Sequence, residues 1–203
     1  MLSIYWGSLW KANVKTGELT AWIINRDSAN GPIGNATTSV LLNSKLNKEP
    51  MHLGWQLINP DDYPTPAAIE QAIAVEEKAW IAVEVAANAS DRLFAARANG
   101  DASYSPQSQV TFYVSEARSN TVVPGFVVAP TQRRLQSAMA QLGAQLAAEY
   151  LAQIAGNATA LAALARAPQT ISTPVIPVEE NLRPWSQTVA TAPTFVGLIY
   201  VGE

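Results

Sequence analysis

The sequence predicts an α+β fold in which two long alanine-rich helices pack against a small, mostly antiparallel sheet. Short runs of β-branched and aromatic residues lie near both ends and in the middle of the chain, and two long segments show the helical spacing of apolar residues. Alanine clusters in both of those segments. With 203 residues the chain is long enough to bury a core, so we expect residues 1–203 to form a single domain.

The sheet is predicted to begin with a hairpin. Residues 2–10 and 17–25 are rich in β-branched and aromatic side chains, and a polar turn separates them. Residues 26–53 contain the turn formers Asn-Gly-Pro and Gly-Asn, which favour a long loop. Two further strands are expected at residues 109–114 and 121–128.

The first long helix is predicted over residues 66–98. Thr65 is a preferred N-cap residue, and Pro66 suits the first helical position. Gly100, which follows Asn99, is typical of the residue that ends a helix.

The second long helix is predicted over residues 130–166. Small residues recur at every fourth position within it, and such a row lets another backbone approach closely. The large apolar residues change phase partway along, which favours a bundle or an oligomer interface over one continuous coiled-coil seam. Packing inside one subunit is the alternative explanation. Our interface candidates are Ala140, Ala144, Ala148, Ala152, Gly156 and Ala160.

Beyond this helix we expect an extended arm at residues 168–188. Its prolines suit a segment that lies over a surface, of its own subunit or of a neighbour, because proline cannot donate to a sheet interior. Residues 194–201 form a nearly continuous apolar run and are predicted to be a strand tied into a sheet.

The low charge of the chain is its most unusual property. Charged residues make up 14% of the sequence, against about 25% in ordinary soluble domains, and the net charge is −3. We interpret the deficit as surface covered by neighbouring subunits, with an uncharged polar surface as the alternative. Dense basic patches are missing, so no nucleic-acid partner is expected. No run of 18 apolar residues occurs, so no membrane span is expected, and the first ten residues do not resemble a signal peptide.

Catalytic motifs are missing from the sequence. There is no cysteine, and His52 is the only histidine, so a histidine or thiolate metal cluster cannot form within one chain. The adjacent acidic pairs point apart in a helix or turn, and no phosphate-binding or dinucleotide-binding glycine motif is present. We therefore predict that the protein is not an enzyme and has no cofactor and no metal site.

Three Asn-x-Ser/Thr triplets begin at Asn35, Asn88 and Asn157. Such triplets are acceptors for N-linked glycans in secretory proteins. Two of them lie inside predicted helices, and no leader sequence supports a secretory route, so we interpret all three as coincidental.

These observations favour a self-assembling structural protein. The most plausible example is a phage-like virion component of a capsid, neck or tail, whose partners are copies of itself and other structural proteins. The alternative is a carbohydrate- or protein-binding module that uses the loop at residues 26–53. Localisation stays open: the virion under the first hypothesis, the cytoplasm otherwise. The ligand candidates for the alternative are exposed aromatic rings, namely Trp6, Trp10, Trp55 and Tyr63.

Overall fold

The computed structural model describes residues 15–185 and confirms the α+β class. A five-stranded sheet has the strand order β2-β1-β3-β4-β5. The strands are β1 Thr20–Asn25, β2 Gly54–Ile58, β3 Ile81–Val85, β4 Val110–Val114 and β5 Val178–Asn181.

The sheet is mixed, and the prediction of a mostly antiparallel sheet is wrong. The pairs β1–β2, β1–β3 and β4–β5 are parallel, and only β3–β4 is antiparallel. Parallel neighbours need a long crossover connection, which here is a helix after β1 and another after β2. The predicted hairpin partner at residues 2–10 lies outside the described residues, as does the predicted strand at 194–201.

The helices are shorter and more numerous than the sequence predicts. The helix predicted at residues 66–98 is instead the helix Pro66–Ala74, the strand β3 and the helix Ala89–Asn99. The α-helices are α1 Pro32–Leu46, α2 Pro66–Ala74, α3 Ala89–Asn99, α4 Ala129–Gln153, α5 Ala158–Arg166 and α6 Gln169–Ser172.

Strand β3 was missed because all five of its residues are buried. A strand covered on both faces has no polar alternation, so its apolar run cannot be told from a buried helix by periodicity. Helix α2 ends at Ala74 with Val75 as its C-cap, and Glu77, whose φ of 52° belongs to the left-handed region, lies in the segment that leads to β3.

Helix α1 replaces most of the loop predicted at residues 26–53. Its N-cap is Gly31, and Pro32 occupies the first helical position. The turn formers that suggested a loop therefore mark the start of a helix, where proline is well tolerated because its missing N–H has no helical partner.

The second predicted helix is interrupted, and its predicted strand neighbour is helical. Residues Val123–Val128 form a π-helical turn that runs directly into α4. Helix α4 ends at Gln153, Gly156 has a φ of 81°, and Asn157 begins α5 by accepting a hydrogen bond from the backbone N–H of Ala160 (3.1 Å). An αL glycine followed by a capping asparagine separates two helices.

Helices cover both faces of the sheet. Helices α1, α3 and α4 bury the larger apolar cluster against one face, where Ile23, Val83 and Phe112 lie at its centre. Helix α2 packs on the opposite face against Trp22 and Ile24. No helix of residues 15–185 is long and apolar enough to cross a bilayer.

The predicted arm at 168–188 is only partly extended, and its described part lies on its own subunit. It contains the short α6 and the edge strand β5, which pairs with β4. Pro174 is buried against α4 at Gly143, where a Cβ would lie 3.1 Å from the proline Cγ. The missing side chain of Gly143 makes room for the proline ring.

Candidate functional site

Four of the predicted interface residues lie on the exposed side of α4. Leu135, Met139 and Leu146 are buried on the opposite side of this helix. The exposed residues at four-residue spacing point away from the sheet: they are Ala140, Ala144, Ala148 and Ala152. We call the surface formed by these four residues, together with Leu151, the α4 outer face.

The α4 outer face is nearly uncharged. Between Leu135 and Gln153 the only charged residue is Glu149, and its carboxylate accepts a hydrogen bond from the side-chain amide of Gln145 (2.8 Å). Leu151 is 43% exposed and adds apolar surface beside the alanines. Small side chains with little charge allow a second helix to approach closely, with little cost for desolvating ions.

A groove of about 690 Å³ runs beside this face, between α1 and α4. Arg134 forms part of its wall: its Nε lies 3.2 Å from a carboxylate oxygen of Glu49, and its Nη2 donates to the carbonyl of Pro50 (2.7 Å). These contacts hold the segment before β2 against α4. The apolar lining comes from Ala36, Val40, Met51, Ala138 and Leu142.

The other two interface candidates are not on α4. Gly156 lies in the turn after this helix, and Ala160 lies half-buried in α5. The break at residues 154–157 separates α4 from α5, so the row of six predicted from a single helix is a row of four.

The two aromatic candidates within residues 15–185 lie on opposite faces of the sheet. Trp55 is buried in β2, and its indole nitrogen has no hydrogen-bond partner among the described residues. Tyr63 is half-buried on the opposite face of the sheet, where its ring centroid lies 4.9 Å from that of Trp22. Trp6 and Trp10 lie outside the described residues.

Sequence reasoning missed a carboxylate at the end of β1. Oδ1 of Asp27 accepts hydrogen bonds from the backbone N–H groups of Ser28 (3.0 Å) and Ser90 (2.9 Å). Its Oδ2 accepts from the backbone N–H of Gly34 (3.0 Å) and from the Ser90 hydroxyl (2.5 Å). Gly34 lies in the first turn of α1 and Ser90 in that of α3, so one carboxylate caps two helices that are distant in sequence.

The Asp27 cluster joins the loop after β1 to two helices. Its carboxylate accepts four hydrogen bonds, and the hydroxyl of Ser90 also accepts from the backbone N–H of Ile33 (3.1 Å). The carboxylate is thus engaged in holding the loop after β1 to the starts of α1 and α3. The sequence carries no local signal for this role: Asn88 is a residue type that often caps helices, yet the cap of α3 comes from Asp27, 63 positions before Ser90.

A second polar cluster fixes the loop after β2. Nε of Arg26 lies 2.6 Å from a carboxylate oxygen of Glu84, and the arginine also donates to the carbonyls of Pro60 and Tyr63. The Tyr113 hydroxyl donates to the other oxygen of Glu84 (2.9 Å), and burial together with this carboxylate raises the pKa of Tyr113. Tyr113 therefore stays protonated as a donor, and the cluster is structural.

The single histidine of the sequence contacts a nearby backbone carbonyl. Nδ1 of His52 lies 2.8 Å from the carbonyl oxygen of Glu49. Within residues 15–185, no three His, Cys, Asp or Glu side chains come close enough together to hold a metal ion.

Comparison with known protein families gives a match over nearly the whole chain. Residues 1–201 match the model of a family described as "Protein of unknown function (DUF3533)". No curated protein and no solved structure matches the chain.

Proposed function

We propose that this chain, which belongs to the DUF3533 family, is a structural domain that binds copies of itself through the α4 outer face. The observation that carries the proposal is the exposure of Ala140, Ala144, Ala148 and Ala152 on one side of a 25-residue helix whose C-terminal 19 residues hold a single charge. A helix surface of this kind is suited to contact with another helix.

The helix is ready to receive a partner without rearrangement. Its buried side already packs against α1 and the sheet, so the outer face is presented on a fixed support. Rigid helical surfaces lose little conformational entropy on binding, and alanine has no side-chain rotamers to immobilise. A two-fold arrangement would bring the outer faces of two α4 helices together, as in most homodimers.

The low charge of the whole chain supports the same proposal. An exposed surface poor in lysine, glutamate and aspartate resembles the centre of protein interfaces more than an ordinary free surface. The finer expectation of a phage-like virion component stays a prediction, and the proposal does not depend on it. The binding-module alternative also stays a prediction, because two of its four aromatic residues lie outside the described range.

The test is the mass of the purified chain in solution, measured by light scattering on a sizing column at two salt concentrations. We expect an oligomer that survives high salt, since apolar contacts are not screened. Ala144→Arg combined with Ala148→Arg should reduce the mass to that of the monomer, because two buried charges would be left unpaired.

The matched control is Ala98→Arg. Ala98 is an exposed alanine of α3, away from the proposed interface, so this variant should keep the mass of the original chain. A monomer of the unaltered chain at all concentrations tested would overturn the proposal. So would an oligomer that the Ala144 and Ala148 substitutions leave intact.

A further inference from the structure

The three Asn-x-Ser/Thr triplets have a different setting in the structure from the one predicted. Asn157 lies in the turn between α4 and α5, and Asn88 immediately precedes α3. Only Asn35 is within a helix, in the first turn of α1. All three asparagines are exposed, so the objection that two of them lie in helix interiors no longer holds.

The side-chain nitrogen of each asparagine makes no hydrogen bond within residues 15–185. Oδ1 of Asn157 accepts the capping hydrogen bond from Ala160, which leaves its Nδ2 available. Asn35 and Asn88 make no side-chain hydrogen bond within residues 15–185, and Asp27 supplies the cap that Asn88 would otherwise provide to α3. A substituent on any of the three nitrogens would therefore break no hydrogen bond of the fold.

We propose that Asn35, Asn88 and Asn157 are sites of N-linked glycosylation. The donor is an oligosaccharide carried on a lipid diphosphate. A bond forms between Nδ2 and the anomeric carbon of the first sugar, while the bond from that carbon to the diphosphate oxygen breaks. The nitrogen gives up one proton to the surrounding water, and the lipid diphosphate leaves with the bonding electrons. The product is an asparagine amide that keeps its Oδ1 and one N–H, so the cap made by Asn157 persists.

The hydroxyl residues divide the three sites into two kinds. The Thr37 hydroxyl is buried and donates to the carbonyl of Ile33 (2.9 Å), and the Ser90 hydroxyl is buried against Asp27. Thr159 is exposed. An enzyme that must recognise both the asparagine and the hydroxyl two residues later cannot reach the first two hydroxyls in the folded chain. Asn35 and Asn88 are thus modified before folding, whereas Asn157 is accessible in either state.

Glycans at two of these positions would cover one end of the sheet. Asn35 and Asn88 stand at the starts of α1 and α3, which follow the carboxyl ends of the parallel strands β1 and β3. Open sheets with helical crossovers usually bind small ligands at that end. Glycans at this end of the sheet would keep it facing solvent. The α4 outer face contains no such triplet, so it would stay available to a partner.

The experiment is peptide mass spectrometry on the chain isolated from its own organism. Digestion with peptide-N-glycosidase in heavy-oxygen water converts each glycosylated asparagine into a labelled aspartate. We expect the label at all three positions and at no other asparagine. An unlabelled Asn35, Asn88 or Asn157 overturns the assignment of that site, and a chain without any label overturns the proposal.

A second experiment tests the order of modification and folding. Unmodified, folded chain is incubated with a purified oligosaccharyltransferase and its lipid-linked donor, alongside chain unfolded in urea and diluted directly into the reaction. The folded chain should be modified at Asn157 alone, and the unfolded chain at all three sites. Modification of folded chain at Asn35 or Asn88 would overturn the proposed order.

Variants identify the sites independently. Asn35→Asp, Asn88→Asp and Asn157→Asp should each remove one glycan, and aspartate keeps the capping oxygen of Asn157 and tolerates the left-handed conformation of Asn88. The control is Asn43→Asp, at an exposed asparagine of α1 that has Lys45 two positions later. This variant should keep all three glycans. None of these outcomes depends on the oligomeric state, so the glycosylation and assembly proposals can fail separately.

Discussion

The two ends of α3 are anchored by opposite charges that both interact with the peptide backbone. At the start of the helix, the carboxylate of Asp27 accepts N–H groups of α1 and α3. In its last turn, the buried guanidinium of Arg97 donates to the carbonyls of Thr170 (2.7 and 3.0 Å) and Leu146 (3.3 Å). The salt bridges within residues 15–185 include neither side chain.

The two anchors differ in what they bind: Asp27 accepts N–H groups in the first turns of α1 and α3, whereas Arg97, in the last turn of α3, donates to carbonyls of α4 and α6. N–H groups are unsatisfied at a helix start and carbonyls at a helix end, so an anion is stabilised at the first and a cation at the second. The Asp27 end joins α1 and α3, which pack on the same face of the sheet. The Arg97 end joins α3 to α4 and to the short α6. Burial lowers the pKa of Arg97, and its guanidinium N–H groups are hydrogen-bonded to the carbonyls of Thr170 and Leu146. The comparison predicts that the two ends contribute unequally to stability.

The largest expected effect is that of Asp27→Asn. The amide would present N–H groups to the backbone donors of α1 or α3, so one cap would be lost and one buried donor left unpaired. We expect a loss of about 3 kcal/mol in the free energy of unfolding, measured by urea denaturation. Asp62→Asn, at an exposed aspartate, should change it by less than about 0.5 kcal/mol. Equal stability of the two variants would contradict the double cap.

The next effect concerns the glycine that ends α3. Gly100 has a φ of 64°, and a Cβ there would lie 2.5 Å from the carbonyl oxygen of Ala163 in α5. Gly100→Ala should cost about 2–3 kcal/mol, through left-handed strain and overpacking together. Gly156 has a φ of 81° with open space around it, so Gly156→Ala should cost only the strain, about 1 kcal/mol. Thermal unfolding of both variants measures the difference, and equal losses would mean that α5 moves away at little cost.

Arg97→Met tests the other anchor. The change removes the donors to the carbonyls of Thr170 and Leu146, and we expect a loss of about 2 kcal/mol in the free energy of unfolding, measured by urea denaturation. This loss is smaller than the one at Asp27, because the Leu146 carbonyl lies in the interior of α4, where a helical N–H group also satisfies it. Arg97→Lys keeps the charge and loses the planar fork, so it should rescue only part of the loss. A methionine variant as stable as the original chain would show that packing alone holds α6.

A pH effect is expected at the same end. The Tyr104 hydroxyl donates to the carbonyl of Pro174 (2.7 Å), and burial raises the pKa of Tyr104 to about 12. The unfolded chain releases this proton near pH 10, so the contribution is complete below pH 10 and is lost as the pH rises towards 12. The free energy of unfolding should fall by about 1–2 kcal/mol over this interval because of Tyr104. Tyr104→Phe should show a smaller fall, and identical pH profiles would contradict this assignment.

The smallest effect on stability is expected away from both ends. Ala148→Leu on the α4 outer face should change the free energy of unfolding of the isolated subunit by less than about 0.5 kcal/mol, because the side chain is exposed. The substitution should instead weaken association, because the larger side chain overpacks a close helix contact. Light scattering under dilute conditions measures this effect. A destabilisation of more than about 1 kcal/mol in the monomer would show that Ala148 packs inside the subunit.

The candidate site was predictable in part. The four-residue spacing placed Ala140, Ala144, Ala148 and Ala152 on one helical side, and the structure leaves them exposed. Gly156 was placed in the same row because glycine is small, but its left-handed conformation ends the row instead. The double cap by Asp27 could not be predicted, since 63 positions separate that residue from Ser90.

By itself, the sequence determined the α+β class and the elements whose signals are local. Thr65 caps α2 and Pro66 opens it, Gly100 ends α3, and the strand predicted at residues 109–114 is β4. These signals act within one helical turn or a few residues of strand. Only the tertiary structure decided that β1 pairs in parallel with β2 and β3, that β3 is a strand, and that the segment after β1 is helical. Strand pairing and burial on both faces depend on contacts between distant parts of the chain, and these leave no periodic pattern in the residues themselves.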